Sequence, residues 1–510
     1  MQYSVALALL SLSGASFAAP APAPSPETTA APSLEDRDVD ARGLLGGLLS
    51  EVESVVSNVV ASATGTAYWS SLSADLASVT ATATQSEVSA ALATMSSIYA
   101  AQSPTPNPYE FISSLVVEGL TTDNFADAFE AIAGGATGEN SDANVNKAPP
   151  TTIYPKKAGS CDPNYSVSQS SLQGAIYIPS TFTYGAKPPV ILFPGTGNTG
   201  FETFQGNFIP LLTGSAYDPV WVNVPGALLG DAQVNAEYAA YAINYINSVT
   251  NGKNVSVIAW SQGNIDTQWA LKYWTSTRSV VSDFIAISAD YDGTVMADLI
   301  CPGNTPCDPS VLQQRYSTSS NFITTLRANG GDSAYVPTTV LYSGFFDEIV
   351  EPQQGTGASA FLLDNRNVGV TNNEAQIVCA GLPGGSFYTH EGMLYNPLTI
   401  ALAMDALANP GPGETSRIDL STVCNMYIGE GLNLADLLIT ENAILIAGAN
   451  LIEFEPKMTV EPSISAYATA SSTCTSSASA TSSSASTTKT SSSSTLKTTT
   501  STAKKTTTTA

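Results

Sequence analysis

One residue in 510 is a histidine. It is His390, in SFYTHEGML, and any chemistry in which a serine hydroxyl passes its proton to an imidazole must use it. A serine hydroxyl is a weak nucleophile until a base takes its proton, and that base must be held in one tautomer by an acid. The serine that fits is Ser261, in NVSVIAWSQGN, where an apolar β-branched run ends in Trp260-Ser261-Gln262-Gly263 and gives way to the helical pattern NIDTQWALKYW. Strand, sharp turn and helix are the setting of the G-x-S-x-G signature, whose small residues let two backbones cross closely around a strained serine. Ala259 replaces the first glycine, so the motif leaves Ser261 either an activated nucleophile or an ordinary strand-end serine. The acid that fits is Asp347, in VLYSGFFDEIVEP, with its neighbour Glu348 as a rival and a turn-capping carboxylate as the structural alternative.

Such an arrangement also needs donors for the oxyanion of a tetrahedral intermediate. One is the backbone N–H after the nucleophile, here Gln262; a second comes from the loop after an early strand. VILFPGTGNTG supplies that loop over residues 195–200, with Thr196 offering both an N–H and a hydroxyl. The alternatives are a Gly-rich turn or a phosphate cradle, and the latter lacks the G-K-[ST] ending of a P-loop.

The elements that must hold these groups follow from periodicity. GAIYIP, PPVILFP, PVWVNVP, VSVIAW, DFIAISAD and TTVLYSGF read as strands, AEYAAYAINYINSVT and IDTQWALKYWTS as helices. Short apolar runs alternating with helical patterns predict an α/β fold, a mostly parallel sheet covered by helices on both faces. Asp347 then lies just past the C-terminal end of a strand, where open α/β sheets gather catalytic groups. Serine after a mid-sheet strand, acid after a later one and histidine in a late loop is the order of the α/β-hydrolase fold.

Composition sets the limits. Lys and Arg total 18 against 43 Asp and Glu, a net charge of −25, which repels phosphate backbones and excludes a nucleic-acid partner. With one histidine a metal site is hard to build, and no cofactor is implied. Residues 1–19 read as a secretory signal, with an apolar centre over Val5 to Leu12 and small residues at Ala18 and Ala19. Residues 20–150 read as a propeptide or helical extension, Leu48, Val52, Val55 and Val59 being spaced as on one helix face; a small prodomain, a weakly packed stalk and a poorly ordered spacer are alternatives. Residues 151–462 form the catalytic domain, and 463–510 a Ser/Thr-rich low-complexity tail like an O-glycosylated stalk. In a secreted chain the six cysteines are disulfide candidates, and the sequons at Asn164 and Asn254 are glycosylation candidates. Asn254 begins the strand that feeds Ser261, so a glycan there requires an exposed strand start.

LFPGTGNTG, AWSQG, SADYDGTV, FFDEIVEPQ, QIVC, YTHEGML and STVCN stand in the order and approximate spacing of the Candida antarctica lipase B-like family, fungal α/β-hydrolase serine lipases. The resemblance covers roughly residues 155 to 462. It implies a secreted esterase or lipase that cleaves carboxylic esters, including triacylglycerols, with Ser261 as nucleophile, Asp347 as acid, His390 as base, and Thr196 and Gln262 as the oxyanion hole. It implies that Trp260 lines the pocket on the alcohol side and that Asp290 lies near the site. Cys379 and Cys424 match a family disulfide that brackets the histidine loop. Cys301 and Cys307 fall where the family carries a short mobile lid, and a disulfide there would stiffen the mouth of the site. Cys161 and Cys474 are left over, either paired with each other or unpaired.

The expected partners are an ester or lipid substrate and a lipid–water interface, and the expected state is a monomer, secreted or associated with the cell wall. An acyltransferase or amidase on the same three residues remains open, as does a non-catalytic wall glycoprotein with a hydrolase-like domain.

Overall fold

A computed structural model describes residues 66–102, 107–301 and 305–469. The signal-like segment, Leu48, Val52, Val55, Val59 and Cys474 lie outside the described residues. Seven strands form one sheet: β1 (Ile176–Tyr177), β2 (Pro189–Phe193), β3 (Asp218–Val222), β4 (Val255–Trp260), β5 (Val281–Ile287), β6 (Thr338–Tyr342) and β7 (Val370–Glu374), in the order β1-β3-β2-β4-β5-β6-β7. Every pairing is parallel except β1 with β3. All positions of β2, β4 and β6 are buried, which is why these strands read as unbroken apolar runs rather than alternating ones. The strand absent from the sequence expectation, β7, is VTNNE, a polar and half-buried edge strand with no hydrophobic signal to find.

The two faces of the sheet carry two apolar cores. Along β4 the side chains alternate between them: Ile258 and Trp260 enter one core, Val255, Val257 and Ala259 the other. The principal helices are α1 (Thr66–Leu76), α2 (Val88–Gln102), α3 (Pro108–Val117), α4 (Phe125–Gly134), α5 (Ala232–Val249), α6 (Gln262–Tyr273), α7 (Pro397–Ala408) and α8 (Leu434–Glu453). The last is long and apolar enough to cross a membrane by length and composition, but 67% of that stretch is buried within the protein, as expected of a core helix.

Helices α1 to α4 pack against the rest of the protein. Leu72, Leu92, Phe111 and Leu115 are buried in the same core as Trp260. Polar bonds fasten them: Trp69 Nε1 donates to Pro306 O at 3.0 Å, Tyr99 Oη to Phe345 O at 2.8 Å, and the Thr122 N–H to Asn442 Oδ1 of α8 at 3.0 Å. Lys457 Nζ lies 4.3 Å from the Trp69 ring centroid and 3.3 Å from Asp308, joining this layer to the end of the catalytic domain.

The ordered fold also runs past residue 462. Gln233 holds both Ser463 O and the Ser465 N–H, and Trp269 Nε1 donates to Tyr467 Oη at 2.9 Å, with Tyr467 packed edge-on to Trp274 at 5.3 Å. The reading of residues from 463 onward as unpacked therefore fails for residues 463–469. Ser465 and Tyr467 have partners that a Ser/Thr composition does not reveal. Tyr467→Ala should lower the unfolding free energy by about 2 kcal/mol through lost aromatic burial, and Tyr467→Phe by about 1 kcal/mol through the Trp269 N–H left without its acceptor. Urea unfolding followed by tryptophan fluorescence measures both.

Candidate active site

The turn between β4 and α6 places Ser261 in a conformation that a non-glycine residue rarely adopts, φ 55° and ψ −132°. Such a backbone costs about 1–3 kcal/mol and persists only where its surroundings over-determine it. Here they do. The Ser261 N–H donates to Ile287 O at 3.0 Å, and Asn264 Nδ2 donates to both Ser261 O and Ile287 O at 2.9 Å. The close backbone crossing falls on Gly263 and Gly195: a Cβ on Gly263 would sit 2.2 Å from Pro194 O, and one on Gly195 2.5 Å from the Trp260 ring and 2.8 Å from Ser261 Cβ. The position of Ala259 is a packed core position on the opposite face, so its methyl group is accommodated.

His390 is buried, and its Nδ1 is 3.0 and 3.1 Å from the two Asp347 oxygens. Asp347 Oδ1 also accepts the Ile349 and Val350 N–H groups at 3.1 and 2.7 Å, which fixes the carboxylate. An ionised carboxylate only accepts, so Nδ1 carries the proton and neutral His390 presents a bare Nε2. Nε2 has no hydrogen-bond partner, and His390 and Ser261 line the same cavity. Glu348, the rival acid, has a different job: it accepts the backbone N–H of His390 at 2.9 Å, not the ring. The carbonyl of His390 is held as well, by Trp260 Nε1 at 3.2 Å and Ser288 Oγ at 2.9 Å.

Gln262 opens α6, where its N–H has no acceptor within the helix. Thr196 Oγ1 donates toward Gln262 Oε1 at 2.8 Å and Gln314 Oε1 at 3.1 Å, and Gln314 Nε2 donates to Gln262 Oε1 at 2.9 Å. Gln314 and Asn264 were not singled out in the sequence; a glutamine in a loop and an asparagine in a helix carry no motif. Trp260 lines the cavity with its ring centroid 5.0 Å from that of His390. Asp290 does not line it. Asp290 is fully buried, both its oxygens lack partners, and burial pushes its carboxyl up to about 7, against the pull of His390.

The cavity holds about 50 Å³, well below the roughly 300–1,000 Å³ of most small-molecule sites. Besides Thr196, Trp260, Ser261 and His390, its walls draw on Pro108, Tyr109 and Ile112 of α3, on Ala297 and Ile300 just before Cys301, and on Ile444, Ala447 and Leu451 of α8. The disulfides Cys301–Cys307 and Cys379–Cys424 are both formed, with Cα separations of 5.7 and 5.2 Å. Cys307 is further tied to Met458 by a pair of backbone hydrogen bonds. Cys161 is exposed and Cys474 lies outside the described residues. Asn164 and Asn254 are both exposed, the latter one residue before β4.

A mostly parallel sheet with a serine on the β4–α6 turn and a histidine–carboxylate pair beside it is an α/β-hydrolase of the lipase and esterase class. No family model matches the chain. It is 33% identical over 321 residues to lipase B of Pseudozyma antarctica, covering 62% of this chain and 90% of that protein. The crystal structure of Aspergillus fumigatus lipase B superposes with a TM-score of 0.72 at 45% identity, over 82% of this chain and 99% of that one. The chain belongs to the lipase B family.

Burial disfavours the charged imidazole, but the Asp347 carboxylate and its hydrogen bond, with Glu391 and Asp290 behind them, outweigh that and raise the His390 pKa above the ordinary value. A base works when unprotonated, so in the role proposed below a raised His390 pKa moves the acidic limb of kcat/KM upward. The midpoint of that limb should lie above about pH 6.5, and Asp347→Asn should move it downward while lowering kcat. A pH–rate profile on a soluble ester checks both.

Proposed function

We propose that the chain hydrolyses carboxylic esters, triacylglycerols among them, through an acyl-enzyme on Ser261, His390 and Asp347. The observation that carries this reading is the unpartnered Nε2 of His390 facing the cavity that Ser261 lines, with Asp347 on the other ring nitrogen. Ser261 Oγ attacks the ester carbonyl carbon as its proton passes to His390 Nε2. The oxyanion is taken by the Gln262 N–H and by Thr196, whose hydroxyl turns from the glutamine carbonyls toward the new charge. His390 then protonates the leaving alcohol, and water, deprotonated by the same nitrogen, releases the acid. Asp347 orients the ring and stabilises the imidazolium without taking its proton. Two formed disulfides, two exposed sequons and a signal-like leader support a secreted enzyme.

Residues 66–134 are read as a permanent cap over the site. Their buried core contacts and the α3 side chains in the cavity wall support a working part of the enzyme over a discarded propeptide. A cavity this small admits a long acyl chain only after the α3 or lid wall moves aside.

Ser261→Ala and His390→Ala should each lower hydrolysis of p-nitrophenyl esters by roughly six orders of magnitude. Substantial turnover left in the His390 variant would defeat the reading, since no other histidine can take over. Tyr109→Ala should raise kcat/KM for long-chain esters more than for short-chain ones; an equal effect on both would show that α3 does not restrict the acyl site.

A further inference from the structure

Behind His390 lie three buried carboxyl groups that neither bond its ring nor line the cavity. Glu348 follows β6, Glu391 follows the histidine, and Glu441 is in the middle of α8; they are 2%, 0% and 0% exposed. One oxygen of each outer member has a donor: Glu348 Oε2 takes the His390 N–H at 2.9 Å, and Glu441 Oε1 takes the Tyr395 hydroxyl at 2.7 Å. The remaining four oxygens, Glu348 Oε1, both oxygens of Glu391 and Glu441 Oε2, have no donor. Glu391 faces Glu348 on one side and Glu441 on the other, within hydrogen-bonding reach of each. No lysine or arginine pairs with any of the three among the described residues. Three buried carboxylates side by side with no cation would be far too costly to keep charged. Two shared protons leave a single charge among the three groups and convert four orphan oxygens into two O–H···O bonds, each of the short, strong kind formed between a carboxyl and a carboxylate.

We propose that Glu348, Glu391 and Glu441 form a proton-sharing ladder that positions His390, locking the backbone of the histidine loop to α8 and releasing it when the ladder gives its protons to water. The loop it holds carries the base, and the helix it holds supplies Ile444, Ala447 and Leu451 to the cavity wall. The ladder therefore couples base and pocket through one titratable unit. Burial first, and the neighbouring carboxylates second, hold both Glu348 and Glu441 protonated well above the usual carboxylate range. The groups facing the ladder from adjoining elements are Asp347 and His390, Tyr99 of α2, and Tyr395. None of them supplies a positive charge except His390 when protonated, so nothing nearby would stabilise a second bare carboxylate. The sign follows from linkage: the folded state keeps protons that the unfolded chain gives up above about pH 4.3. The stabilisation is thus complete below that pH and is lost as the pH rises through the folded-state values.

The positional role rests on His390 acting as the base, whereas the sharing of protons does not, so two readouts separate them. Infrared spectra of the full-length protein should show a protonated-carboxyl C=O band at neutral pH that shrinks as the pH rises, and Glu348→Gln and Glu441→Gln should each diminish it. A wild-type protein with no such band at neutral pH, or a band unchanged in both variants, overturns the ladder. Kinetically, Glu441→Leu should lower kcat by about tenfold with KM little changed, the scale of a small misplacement of a catalytic group. Glu441→Gln donates the same hydrogen bond to Glu391 but cannot ionise, so its kcat should persist to higher pH than that of the wild type. A Gln variant that loses kcat like the Leu variant, or that keeps the wild-type alkaline fall, overturns the positioning role. Absence of ester hydrolysis in the wild type would instead count against the proposed function and leave the infrared result standing.

Discussion

The fold is organised around a backbone crossing at Ser261, where β4 must turn into α6 through a positive φ on a residue with a side chain. That turn is unfavourable by itself, and its neighbours are chosen by it. Gly195 and Gly263 are glycines because any Cβ there would overlap Trp260, Ser261 or the Pro194 carbonyl. Asn264 spends its amide on the two carbonyls that close the turn. The parallel sheet supplies the rigidity: β4 is central, paired on both sides and buried at all six positions, so the strain cannot relax by moving the strand.

Around that fixed serine the second half of the site is assembled from segments far apart in sequence. His390 arrives on a loop whose backbone is pinned at both ends of one residue, its N–H by Glu348 and its carbonyl by Trp260 and Ser288. The ring is then turned by Asp347, itself fixed by two backbone N–H groups. Pinning of this kind keeps the imidazole within the narrow geometry that proton transfer needs. The cost falls on the interior, which must house Asp290, Asp347, Glu348, Glu391 and Glu441 with little positive charge nearby. An acidic chain with 18 basic residues has few cations to spare for such a place, and protons take their role.

Much of this was legible in the sequence, for identifiable reasons. The strands β2, β4, β5 and β6 announced themselves as apolar β-branched runs, and Ser261, Asp347 and His390 by residue type and chain order. The edge strand β7 was not visible because VTNNE lacks hydrophobic periodicity, and the packing of Tyr467 was hidden inside a Ser/Thr-rich stretch. The helical spacing read in the N-terminal extension, at Leu48, Val52, Val55 and Val59, lies outside the described residues, and nothing in the sequence showed that α3 would reach the cavity. Gln314, Asn264 and Glu441 act through hydrogen bonds to partners between 3 and 118 residues away in sequence, and such contacts leave no local pattern. Asp290 was placed near the site by resemblance; it is buried, close enough to His390 for their charges to interact, but outside the cavity wall.

The most direct test of the account is covalent. A fluorophosphonate ester offered to the full-length protein should label one residue, and peptide mapping by mass spectrometry should find the adduct on Ser261, with labelling lost on acidification as His390 gains its proton. A folded protein that takes no label, or that carries it on any other residue, would contradict the claim that the turn after β4 exists to present an activated serine.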